Sequence, residues 1–431
     1  MKNITALLLL LISVVSGPAQ TRFNVITAGA LGDGTTDDTT AIQSAITAAI
    51  SLRASSGKPT VVYFPAGRYR VTATLNVSSS GVSVEGDGMN SSVLERTGDY
   101  GDTLVMGSTS GAYGGGNNVS RLGIKATGTI THGANLATVQ VSRSAIREVA
   151  LEGGFEGLRV ENCYSMIYDG LLVSGGSNLT GTGTAAGSSF VLVKAHSAPQ
   201  YASFDLFFSN LDLNGTSAPG RIERGIDIQQ CDGIWFNNGH VIGAYMEAYI
   251  APASGYTVQN LQFSNMFFDG NCEVGMQILG AGAVRGVRFV GGVFGGAGAG
   301  GSDAVAINCA NLRGLTFDGV EFGSNHAGAL NLIAGSYIDV KNCRFLDNVD
   351  SNSGANCVSV WSGCSKVTIS SCTFGRQFAN NAILIGGANV LRVADCQFSE
   401  VPGLDIAVAT AGTNTFISNN SGDKVASVTQ P

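Results

Sequence analysis

From about residue 222 the chain repeats one pattern of three short strands. The first kind reads GIDIQ, GMQIL, AVAIN, ALNLI, CVSVW, AILIG and LDIAV, and the second IWFNN, LQFSN, VRFVG, LTFDG, IDVKN, VTISS and LRVAD. The third reads NMFF, GGVF, GVEF, NCRF, SCTF and DCQF. Gly, Asn, Ser and Asp stand between them, as turns require. The third kind sets the period through Phe268, Phe294, Phe322, Phe345, Phe374 and Phe398, at intervals of 26, 28, 23, 29 and 24 residues. A period in this range with no helical segment inside it is that of a solenoid. Three strands per turn predict an all-β chain wound as a right-handed parallel β-helix. Weaker copies near residues 119, 144, 166 and 204 extend it to about eleven coils, a rod on the order of 50 Å at one strand spacing per coil.

Alternation along each strand assigns the side chains. In GIDIQ, Ile226 and Ile228 point inward and Asp227 outward; in NCRF, Cys343 and Phe345 point inward. Cys343, Cys372 and Cys396 then share an interior column. The nine cysteines are odd in number and show no C-x-x-C spacing, so buried thiols are expected rather than a disulfide framework.

Composition agrees with a large, turn-rich β structure. Charged residues are 13% of the chain and Gly is 60 of 431, about half and double the usual shares. Net charge is −7 with no basic run, which argues against nucleic acid as a partner. The four histidines are scattered, so no metal site and no cofactor is expected.

The N-terminal region differs. MKNITALLLLLISVVSGPAQ (1–20) has the form of a secretory leader, or of an attachment segment if it is retained. Beyond it, Ile42, Ala45, Ile46, Ala49 and Ile50 form one apolar face at helical spacing, with Asp37 or Asp38 as N-cap. A solenoid's first coil leaves an apolar end with unpaired backbone edges, and this helix suits a lid over it. The resulting division is 1–20 leader, 21–80 cap and first strands, 81–424 β-helix and 425–431 tail. GALGDGTTDD is not an EF-hand, because Ser44 stands where a bidentate Glu is needed. It also lacks the G-K-[ST] ending of a P-loop.

FNVITAGALGDGTTDDTTAIQSAI (23–46), VVYFPAGRYRVTATL (61–75) and VSVEGDGMNSSVL (82–94) together resemble the N-terminal signature of the pectate-lyase-like superfamily. That group includes pectate lyase-like enzymes, polygalacturonases and bacteriophage tailspikes, and the later coils are most similar to tailspike or other virion β-helices. The polygalacturonase motifs NTD, DD, GHG and RIK are not found here as a set, and the calcium-binding carboxylate cluster of pectate lyases has no counterpart.

For carbohydrate work the useful groups are outward carboxylates near outward aromatics. The outward column of the first strand kind reads Asp227, Tyr249, Gln277, Ala306, Asn331, and that of the second Asp205, Trp235, Gln262, Arg288, Thr316. Glu223, Glu247 and Glu273 fall in the turns leading into first-kind strands. Asp227, Glu247 and Glu273 are therefore the candidate catalytic acids, since carboxyls one or two coils apart bracket the separations used in glycoside hydrolysis. Trp235, Tyr249, Asp205 and Gln277 are the candidate sugar-binding residues. The expected function is a tailspike-like virion protein, a homotrimer outside the cell, that binds and depolymerises a bacterial surface polysaccharide. Possible further partners are other virion proteins. Two alternatives stand beside it: a secreted polysaccharide lyase or hydrolase, and a non-enzymatic structural β-helix of a virion. Outward aromatics serve subunit packing as readily as sugar.

Overall fold

The computed structural model describes residues 20–107, 114–175, 184–196, 202–215, 221–270, 272–298, 302–349, 355–376, 380–410 and 414–422. The N-terminal leader and the C-terminal tail lie outside these residues.

One helix, Thr39–Ser56, precedes a single parallel sheet wound into a right-handed β-helix with three faces. The first face is a ladder of thirteen strands, from Leu75–Val77 through Met246–Ile250 to Ile406–Thr410. The coils missing from the sequence count are those whose first-face strands, Glu156–Glu161 and Thr184–Lys194 among them, lack the repeat's consensus.

The expected third-kind column is continuous: Phe268, Phe294, Phe322, Phe345, Phe374 and Phe398 stand opposite one another in register. Their rings stack with centroids 4.6–5.5 Å apart, the offset geometry that aromatic quadrupoles favour. A second interior stack runs Tyr168, Phe208, Phe236, Phe263, Phe289, Phe317. All nine cysteines are free and buried. The Cys343, Cys372 and Cys396 thiols each donate to a carbonyl two residues earlier.

Second and third faces are joined by single residues rather than by loops. Asn210, Asn238, Asn265, Gly291, Gly319, Asn342, Ser371 and Asp395 occupy this corner in successive coils, all at positive φ. That region costs an ordinary side chain about 1–2 kcal/mol, and Asn and Gly tolerate it best. Asn amides tie the corner to the coil before: Asn210 Nδ2 donates to Asp169 Oδ1 at 2.8 Å and Asn342 Nδ2 to Asp318 Oδ1 at 2.8 Å. Strands such as Thr257–Asp269 therefore bend around two faces without a break.

The helix covers the open end as expected, burying Ile42, Ala45, Ile46 and Ala49 and packing the partly buried Ile50 against the core. Its start differs from the expectation. Asp38 stands at the N-cap but makes no side-chain cap bond; its carboxylate accepts instead from Leu31 N at 2.7 Å and Gly32 N at 3.0 Å. Asp37 takes the amide of Thr39 at 3.0 Å. The GDG run is a turn in which Asp33 Oδ1 accepts from Thr35 N and Thr36 N at 2.8 and 2.7 Å.

Candidate active site

The outward residues of the first face form the ladder Arg159, Leu192, Asp227, Tyr249, Gln277, Ala306, Asn331. The predicted order of Asp227, Tyr249 and Gln277 is kept, and the charges gather at its N-terminal end. Arg159 Nη1 donates to Asp102 Oδ1 and pairs with Glu156 Oε2, both at 2.8 Å. Its Nε lies 2.7 Å from Glu161 Oε1, close enough to pair by charge though not aligned as a hydrogen bond. Burial pulls the Arg159 pKa down, but the bonds and charges of Asp102 and Glu156 more than offset it and hold it above the usual value. Glu161 in turn holds His196 through Nδ1 at 2.8 Å and Lys194 at 3.5 Å.

Two coils on, a second network forms. Asp227 is 1% exposed: its Oδ2 accepts from Arg224 Nη1 at 2.7 Å and Gln229 Nε2 at 3.1 Å, while Oδ1 has no partner. Burial raises its pKa, more than the Arg224 bond and charge lower it. The Arg224 guanidinium lies 4.2 Å from the centre of the Tyr249 ring, a cation–π distance.

Between the two networks lies a hollow of about 170 Å³, lined by Lys194, Ala195, Gln229, Gln230, Ala251, Ala253 and Tyr256. Lys194 connects it to Glu161, Arg159 and His196, and Gln229 connects it to Asp227. Of these ionisable groups Lys194 alone lines the hollow, and the others are linked to it only through Lys194 or Gln229.

Four predicted site residues lie elsewhere. Glu247 is fully buried: it occupies the corner before the first face, in a column with Gly225, Gly275, Ala304, Ala329 and Cys357, all of them buried. Strict alternation fails there because the chain turns inward at the corner. A Cβ at Gly225 would come within 2.4 Å of the Glu247 carbonyl oxygen. Neither carboxyl oxygen of Glu247 has a hydrogen-bond partner. Burial pushes its pKa well up, against the smaller opposing pulls of the Cys272 thiol and the Arg221 charge. A carboxyl this deeply buried has no access to substrate. Glu273 stands in the bend just before the neighbouring strand Val274–Leu279, half-buried, and does not line the hollow.

Asp205 and Trp235 are on the second face, and they are not in one column. Trp235 stands opposite Phe207, whereas Asp205 is a positive-φ corner residue between Phe204 and Leu206. The shift arises because each coil spends one residue on that corner. Trp235 stacks on the exposed Phe207 with centroids 4.8 Å apart and planes 10° from parallel. Tyr164 and Phe204 stack likewise at 5.0 Å.

Arg159, Glu161, Lys194, His196, Arg224 and Gln229 were not singled out from the sequence. The outward charges of EGLRVE (156–161) are a usable signal, but this first-face strand lies upstream of the recognisable repeats.

The model of the family described as rhamnogalacturonase A/epimerase, pectate lyase-like, matches residues 22–296, more than half of the chain. Mannuronan C5-epimerases AlgE1 and AlgE5 of Azotobacter vinelandii are 41% and 43% identical over 98 residues, 21% of this chain. The chain spans only 7% and 9% of their lengths. Among solved structures, the A-module of mannuronan C-5 epimerase AlgE4 from Azotobacter vinelandii has a TM-score of 0.57 at 15% identity, covering 93% of this chain and all of that one. The N-terminal fragment of bacteriophage Phi29 gene product 12 also has a TM-score of 0.57, at 17% identity, covering 93% of this chain and 66% of that one. At such identities these likenesses establish the fold alone. With the family model covering the cap, the first coils and the hollow, the chain belongs to the rhamnogalacturonase A/epimerase family of pectate-lyase-like proteins.

Proposed function

We propose that this protein binds a bacterial surface polysaccharide along its flank and depolymerises it at the hollow beside Lys194, as a tailspike-like homotrimer carried outside the cell on a virion. One observation carries the reading. In a chain with only 13% charged residues, Arg159, Glu161, Lys194 and His196 form one ionic network whose Lys194 lines the hollow, and Arg224 and Asp227 form a second that meets the hollow through Gln229. His196, oriented by Glu161, is the group to exchange a proton with the sugar. Lys194, 33% exposed at the rim, supplies positive charge to a sugar oxygen or carboxylate. Family membership supports a carbohydrate substrate, and the virion setting takes its lead from a bacteriophage protein that shares the fold.

A second reading, a secreted enzyme that acts on a uronate polymer, is favoured by the sequence matches to mannuronan C5-epimerases. Both readings are tested by incubating the full chain with capsular and uronate polysaccharides and measuring new reducing or unsaturated ends, with proton NMR for inverted C5 centres. The first expects new ends and the second expects inversion. His196→Ala and Lys194→Gln lower the rate by about 100-fold or more if His196 acts in proton transfer. Full activity in both variants removes the hollow as the site. No product and no binding with any polysaccharide removes the function.

A further inference from the structure

Glu247 is 0% exposed, the lowest value among the described carboxyls, and neither of its carboxyl oxygens has a hydrogen-bond partner. It stands between Gly225 and Gly275 on the adjacent strands, so no side chain in its own column solvates it. Enclosing an ionised carboxylate in this way costs far more than enclosing the neutral acid. Asp38 shows the contrast: it is 1% exposed, but its carboxylate accepts from two backbone amides.

Few polar groups surround Glu247. The Cys272 thiol lies beside it, and Asp269 and Arg221 are the charges that act on it. Arg221 is committed elsewhere, since its Nε donates to Gly243 O at 3.1 Å and its Nη2 to Ala244 O at 2.7 Å. Asp269 disfavours a second negative charge. Burial pushes the Cys272 thiol up as well, and the Glu247 charge adds to it. What encloses the acid is light. Cys272 packs with Ala297 and Ala304 in a cluster of three small side chains, separate from the main core. Small satellite clusters of this kind open at lower free energy than the core beneath them.

We propose that Glu247 and Cys272 form a pH-gated latch: the corner stays shut while Glu247 is protonated, and ionisation of Glu247 lifts Cys272 away, bringing the carboxylate to water and the thiol within reach of an electrophile. The sign follows from the enclosure. Only the open corner hydrates a carboxylate, so the open population grows as pH rises above the ordinary carboxyl value near 4.3, by up to about tenfold per pH unit. Cys343 and Cys372 belong to the main core and stay shut. The latch does not depend on the polysaccharide reading.

The test is alkylation of the folded full chain by iodoacetamide from pH 5 to pH 9, with each cysteine followed by peptide mass spectrometry. The thiolate displaces iodide and forms the S–C bond, so dividing by the rate of the urea-unfolded chain at the same pH removes the thiol's own titration. Expected is a corrected Cys272 rate that rises about tenfold or more between pH 5 and pH 8 in the parent and stays within about twofold in Glu247→Gln. The parent's Cys272 rate also exceeds those of Cys343 and Cys372. Equal rises in the parent and Glu247→Gln overturn the latch, as does a Cys272 that is inert at every pH. Parallel rises of all nine thiols overturn it too, because they report unfolding of the whole chain.

Discussion

Glu247 places a carboxyl in a buried column between Gly225 and Gly275, neither of which has a side chain. Its folded-state pKa is raised, so above the ordinary carboxyl value near 4.3 the unfolded chain releases a proton that the folded chain keeps. Stability from this group is therefore fully present below that value and falls as pH rises towards the folded pKa, by at most about 1.4 kcal/mol per pH unit. The raised Asp227 carboxyl acts with the same sign. Glu247→Gln is expected to unfold at a higher temperature than the parent at pH 8, with the gap closing towards pH 4; thermal melts across that range check it. Arg159 behaves in the opposite way to a rim residue. Arg159→Gln leaves Asp102 and Glu156 without their cation, and Glu161 with only Lys194 and His196, at a cost of about 3–5 kcal/mol. Lys194→Gln, at a partly exposed pair, costs under about 1 kcal/mol. Urea midpoints of the two variants separate these effects.

Among the elements, the interior Phe ladder and the positive-φ corners hold the coils in register. Phe345→Ala removes a ring stacked on both neighbours and is expected to cost about 3–5 kcal/mol. At the corner, Asn238→Gly is expected to be nearly neutral, whereas Asn238→Val loses about 1–3 kcal/mol to backbone strain; denaturant titration of the pair distinguishes conformation from the weak amide bond to Asn265, 3.5 Å long. These elements were legible in the sequence because each coil writes them locally, with Asn or Gly before the third strand and Phe within it. The ionic networks were not. Asp102 and Arg159 are 57 residues apart, and Glu161 and His196 are 35 apart, so their meeting depends on register between coils that the repeat pattern does not mark. The inward position of Glu247 was hidden by a corner at which alternation lapses.

The proposed site sits on one rigid support: a hollow lined by Lys194 and Gln229, each tied to an ionic network on the first face. Parallel ladders run the length of the β-helix, so each coil braces its neighbours, and a site assembled from three or four coils is held firmly. Phe204 and Phe207 on the second face and Phe267 on the third are 38–47% exposed, apolar side chains that a subunit can cover. If a homotrimer packs through these side chains, Phe207→Ser with Phe267→Ser is expected to convert a threefold sedimenting species to a single chain. A stable monomer of the parent protein contradicts the spike assembly.

The most direct measurement is product analysis after incubating the full chain with bacterial capsular polysaccharide, with His196→Ala in parallel. The account predicts new reducing or unsaturated chain ends with the parent protein and a loss of about 100-fold or more with His196→Ala. An intact polysaccharide, or product formed equally by both proteins, contradicts it.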